Sequence, residues 1–135
     1  MDSQWAEQRK RAISVHAADL ARREAADAEQ AQAMLLEFVQ CARDRAIASG
    51  PLRARSDDGR RRYRTKLRGW YLSDDGRLAV DEDGRFYLLT VPASLRAAVS
   101  GAQVTPARPR LVIGEGGRDG ERIPLRTLLD RALER

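Results

Sequence analysis

The sequence predicts an α+β protein: a long N-terminal helix, then a small antiparallel β-meander sheet with short C-terminal helices. Three observations carry that expectation. No Gly or Pro occurs from Ser3 to Ser49, a stretch dense in Ala, Arg, Glu and Gln, all strong helix formers. After Pro51 the chain breaks into short runs rich in β-branched and aromatic residues. Between those runs stand three Asp-Gly-Arg punctuations, Asp58 to Arg60, Asp75 to Arg77 and Asp83 to Arg85.

The helix is expected to stop at Ser49-Gly50-Pro51, because Gly takes the left-handed terminal conformation and Pro cannot continue the hydrogen-bond ladder. Unbroken, it makes a rod of roughly 70 Å, longer than a domain of this size is wide. It must then find a partner or bend, the alternative being a hairpin of two shorter helices broken between Arg22 and Glu29. From Ala31 onward Met34, Leu35, Phe38, Val39, Cys41, Ala42 and Ile47 form a broad apolar face suited to a core. Before Ala28 the large apolar residues thin to Trp5, Ile13, Val15 and Leu20. An a/d register runs through Ile13, Ala17, Leu20, Ala31, Met34, Phe38 and Cys41, interrupted by Glu24, Asp27 and Arg45.

Strands are expected in RYRTKL, GWYL, RLAV, RFYLLTV and PRLVIG. Asp-Gly supplies the positive φ of tight turns, so the second and third punctuations are expected to close successive hairpins, a meander from Gly69 to Val91. Ser94 to Ser100 reads as a short helix ended by Gly101. Leu111 to Ile113 reads as a strand, and Leu125 to Leu133 as an amphipathic helix with Leu125, Leu128, Leu129 and Leu133 on one side. The organisation is a helix over 1–49 and one small α+β domain over 51–135, continuous with the helix's C-terminal half.

Composition removes several classes of function. A lone Cys41 supports neither an intramolecular disulfide nor a zinc cluster, and fits a reducing compartment, so the cytosol is expected. No apolar run approaches the roughly 18 residues of a membrane helix, and the polar start is unlike a signal peptide, so a soluble, unprocessed protein is expected. The formal charge of +5 is local: residues 1–48 carry −1, residues 51–72 carry +6 and residues 73–135 carry 0. Of the 25 basic residues 23 are Arg, a bias that genome composition alone can impose, which weakens the pI as evidence for a polyanion.

Catalytic and ligand motifs fail on chemistry. Gly114 to Gly120 follows a strand but lacks the Gly-Lys-Ser/Thr ending of a phosphate loop and holds two acids. Asp81-Glu82-Asp83-Gly84 has its glycine too early for a calcium loop. The sole histidine, His16, sits on the Ala-rich helix with Asp19 one turn on, and Asp74-Asp75 are adjacent residues in an exposed turn, the wrong place for a general acid/base couple. No cofactor or metal is expected, and an enzyme is the least favoured class.

Two readings remain. In the leading one the chain is a non-catalytic interaction protein that forms a homodimer, or docks on a partner protein, through Trp5, Ile13, Val15 and Leu20 of the helix. In the alternative it binds nucleic acid through Arg60, Arg62, Arg64, Lys66 and Arg68, with Tyr63, Trp70 and Tyr71 offering rings to bases. The plain explanation of those cations is an edge strand whose charges deter aggregation.

Overall fold

In the computed structural model, which describes residues 2–114 and 122–135, the helix former-rich segment is one unbroken helix, α1, over Asp2–Asp44. Its 43 residues span about 65 Å, and the two-helix hairpin does not form. Ala31, Leu35, Phe38, Val39 and Ala42 are buried, as the apolar face required.

The helix ends earlier than the Gly-Pro signal. Ala46 takes the left-handed conformation at φ 57°. Its N–H donates to Arg43 O at 3.0 Å, and the Ile47 N–H donates to Ala42 O at 2.8 Å, a Schellman closure built on alanine. Tertiary contact sets this point: Ile47 packs on the core, and Trp70 Nε1 donates to the Ile47 carbonyl at 3.1 Å. Gly50 and Pro51 belong instead to the first strand. An L-residue held left-handed costs about 1 kcal/mol. Ala46→Gly is therefore expected to stabilise the fold by about 1 kcal/mol, read as a higher urea midpoint at unchanged slope.

Five strands follow: β1 Gly50–Ser56, β2 Arg62–Tyr71, β3 Leu78–Asp81, β4 Phe86–Leu88 and β5 Thr90–Val91. Their order is β4-β3-β2-β1-β5, antiparallel except for β5, which runs parallel to β1. The meander thus begins one strand earlier than Gly69, because the first Asp-Gly-Arg also closes a hairpin.

The three turns share one chemistry. Gly59, Gly76 and Gly84 have φ of 73°, 74° and 85°, and each donates its N–H to the carbonyl three residues back, Ser56, Ser73 and Asp81. The Ser56 and Ser73 hydroxyls donate to Asp58 and Asp75 at 2.5 and 2.7 Å and accept the N–H of Arg61 and Leu78 at 3.0 Å each. In the third turn Asp81 replaces the serine and accepts from the Asp83 and Arg85 N–H groups. That turn docks on α1, where Gln32 Nε2 donates to Gly84 O at 2.8 Å and Arg43 to Glu82 O at 2.9 Å.

Only Leu89 separates β4 from β5, although these strands lie at opposite ends of the order. Its N–H donates to Arg77 O at 2.7 Å, beside β3, while its carbonyl accepts from Arg55 N of β1 at 2.6 Å. The sheet therefore curls until its two edge strands meet end to end at Leu89. Leu52, Ala79, Tyr87 and Leu89 pack together on the inner side. Outward-facing Trp70, Leu72, Leu78, Val80 and Phe86 pack under α1 and the last helix.

The remaining elements are α2 Leu95–Ser100, β6 Val112–Ile113, β7 Ile123–Pro124 and α3 Leu125–Glu134. β6 and β7 pair as a separate two-stranded sheet. α3 buries Leu125, Leu128, Leu129 and Ala132, with Leu133 half-buried against the same core. Of the glycine-rich segment, residues 115–121 lie outside the described residues.

Candidate functional site

Two surfaces collect the residues that the sequence singled out. The first is the outer face of the β1–β2 hairpin. Along β2 the side chains alternate: Arg62, Arg64, Lys66 and Arg68 are exposed, while Tyr63 is buried and Thr65 and Leu67 are half-buried. At Trp70 the same outer face turns apolar, because there α1 begins to cover it. Arg60 falls in the turn, outside the strand.

The antiparallel register sets like charges opposite one another, Arg53 against Arg64 and Arg55 against Arg62. Such pairs are destabilising where cross-strand pairs of opposite charge would help. Arg55 is partly engaged, donating to Asp75 O at 2.9 Å, and Arg68 Nε lies 3.8 Å from Glu82. Among the described residues Arg53, Arg62, Arg64 and Lys66 have no carboxylate in salt-bridge range.

β2 is central only in part: β1 pairs along one side of it, while on the other β3 takes Gly69 to Tyr71 and, before these, Ala102 N–H donates to Arg64 O at 2.8 Å and Glu82 N–H to Arg68 O at 3.1 Å. Between Arg62 and Arg68 that second side has no strand partner, so these cations also guard a partly open edge. Beside it runs an open groove of about 970 Å³, lined by Arg64, Lys66, Arg96, Ser94, Ser100 and Gln103 among others.

The rings expected beside these cations are elsewhere. Tyr63 is 2% exposed, its hydroxyl accepting the Ser94 N–H at 3.0 Å. Trp70 is 8% exposed and meets Phe38 edge-on at 6.1 Å. Tyr71 is half-buried and accepts the Arg53 N–H. None offers a free face for a base to stack on. Alternation could place Tyr63 inside, but only the packing of α1 could bury Trp70.

The second surface is the N-terminal half of α1. From Ser3 to Asp27 every side chain but Asp19 is exposed, along roughly 37 Å of helix. Trp5, Ile13, Val15 and Leu20 are 64%, 62%, 61% and 50% exposed. They do not share one face. Ile13, Ala17 and Leu20 lie five helical turns before buried Ala31, Leu35 and Phe38, so they continue the core stripe beyond the body. Val15 lies well around the helix, and Trp5 sits on the flank beneath the Arg9 guanidinium, 5.2 Å from its ring.

The titrating groups behave as turn chemistry. For Asp75 partial burial acts upward, but hydrogen bonds from Ser73 and the Arg77 N–H, with the charges of Arg77 and Arg55, hold it below the usual carboxylate range. The Ser56 hydroxyl and Arg60 N–H likewise lower Asp58. Burial pushes the Tyr87 phenol up, helped by its hydrogen bond to buried Asp81 at 3.0 Å. His16 is exposed, and Asp19 pairs with Arg22 instead. Cys41 is half-buried and free. Among the described residues no cluster suits a metal ion, and no helix is long and apolar enough to cross a membrane. No protein-family model, curated protein or solved structure matches the chain.

Proposed function

We propose that the chain is a non-catalytic cytosolic interaction protein that self-associates through the N-terminal half of α1. The observation that carries this reading is the apolar stripe of Ile13, Ala17 and Leu20, aligned with the core stripe yet left in solvent. In proteins most helical stability comes from packing along an amphipathic face rather than from propensity. A second copy is the proposed occupant. The tip from Asp2 to Ala12 nets +1 and the segment from Arg22 to Glu29 nets −1. An antiparallel pair centred near Ala17 sets these weakly opposite segments together, with Lys10 by the partner's Glu24, and keeps a small residue at the crossing, where helices approach closest. From Ala31 onward the stripe itself, Ala31, Leu35 and Phe38, is covered by the body, so a crossing on this stripe lies before it.

Light scattering on the purified chain tests this. The expected result is a dimer, with Ile13→Glu/Leu20→Glu a monomer whose body melts as before. A monomeric wild type across the accessible concentration range overturns the reading.

A further inference from the structure

We propose that the outer face of the β1–β2 hairpin is a binding site for the phosphate backbone of duplex nucleic acid, read without regard to sequence. This rests on observations separate from the helix. The register stacks Arg53 on Arg64 and Arg55 on Arg62, and Lys66 and Arg68 extend the row along β2. Alternate residues on a strand stand about 7 Å apart, so Arg62 to Arg68 lays four cations over roughly 20 Å in one line. That is a periodic array suited to a periodic polyanion, where a single phosphate would need converging donors. Arg96 lines the same groove as Arg64 and Lys66 and adds a cation beside the row.

The array is built at a cost. Opposed arginines lower the stability of the hairpin, a cost that charges guarding the far side of β2 need not incur. A bound polyanion relieves the repulsion and accounts for the arrangement. The occupant is a duplex because Tyr63 and Trp70 are buried and Tyr71 is held against the Arg53 N–H, so unstacked bases find no ring on this face. What remains is contact with phosphates, which positions a protein on nucleic acid but specifies no sequence.

Fluorescence anisotropy with a labelled mixed-sequence duplex tests the site, with the matching single strand and with phosphatidylserine/phosphatidylcholine vesicles as comparison arms. Vesicles are included because Leu95 and Val99 of neighbouring α2 are 78% and 77% exposed. The duplex is expected to bind more tightly than the single strand and the vesicles. Its affinity is expected to fall roughly 10²- to 10³-fold between about 50 and 200 mM salt, as release from about four or five phosphates requires.

Arg62→Glu/Arg64→Glu should abolish binding while leaving the melting midpoint unchanged or raised, since each new glutamate faces an arginine. A purely structural role for these arginines would give the stability effect without the loss of binding. Arg126→Glu/Arg131→Glu, at exposed positions of α3, makes the same change in net charge and should bind almost as wild type. The proposal is overturned if the duplex does not bind or if the α3 reversal costs as much as the β2 reversal. It is equally overturned if the single strand or the vesicles bind more tightly than the duplex.

Discussion

Gly69→Ala is expected to leave the chain largely unfolded. A Cβ at this position would stand 2.0 Å from Val80 O and 2.7 Å from Asp81 Cα. Both are backbone atoms, so no rotamer change relieves the clash. Gly69 pairs with Gly50 on one side and Asp81 on the other, at the point where β2 passes from its partnership with β1 to that with β3. Its φ is not positive; the requirement is space for two backbones to approach. Overpacking a core costs about 1–3 kcal/mol when side chains can shift. Here strands must separate, so the loss should exceed that range, against a total stability of about 5–15 kcal/mol for a domain. Urea titration followed by circular dichroism checks it. Gly50→Ala serves as control, because a Cβ there meets nothing within 4 Å, and its midpoint should move little. A Gly69→Ala midpoint equal to wild type would show that the strands can part at this crossing.

Trp70→Ala should cost about 3–5 kcal/mol, the range for removing a large aromatic from a core. Trp70 joins three parts of the fold: it lies on β2, its ring meets Phe38 of α1, and its Nε1 donates to the Ile47 carbonyl that follows the helix. Trp70→Phe separates these contributions. It keeps most of the apolar volume but leaves the Ile47 carbonyl without its donor, so a loss of about 1–2 kcal/mol is expected. Trp5→Phe removes the exposed fluorophore and lets Trp70 report unfolding alone. Equal midpoints for Trp70→Phe and wild type would assign the anchoring to ring packing only.

Much of the architecture was legible in local residue chemistry. A Gly- and Pro-free run of strong helix formers makes a helix, and Asp-Gly turns make hairpins, because both depend on backbone preferences within a few residues. The alternation along Arg62 to Arg68 likewise predicted one cationic face. The candidate surfaces were half legible: their charges and apolar positions could be read, but not what lies against them. Tyr63, Trp70 and Tyr71 look like stacking rings in sequence and become core, core and hydrogen-bond acceptor once strands and helix meet.

The residues alone determined the α+β class, the position of the turns, the α3 stripe and the concentration of charge in one hairpin, all local properties of composition and spacing. Tertiary structure decided the rest. It ended α1 at Asp44, because the core captured Ile47 before the Gly-Pro signal arrived. It curled the sheet so that its edge strands join at Leu89 and set arginine against arginine across β1 and β2. These outcomes depend on which distant segments share a surface. That is fixed by the burial of apolar area over the whole chain, a sum to which no single window of sequence has access.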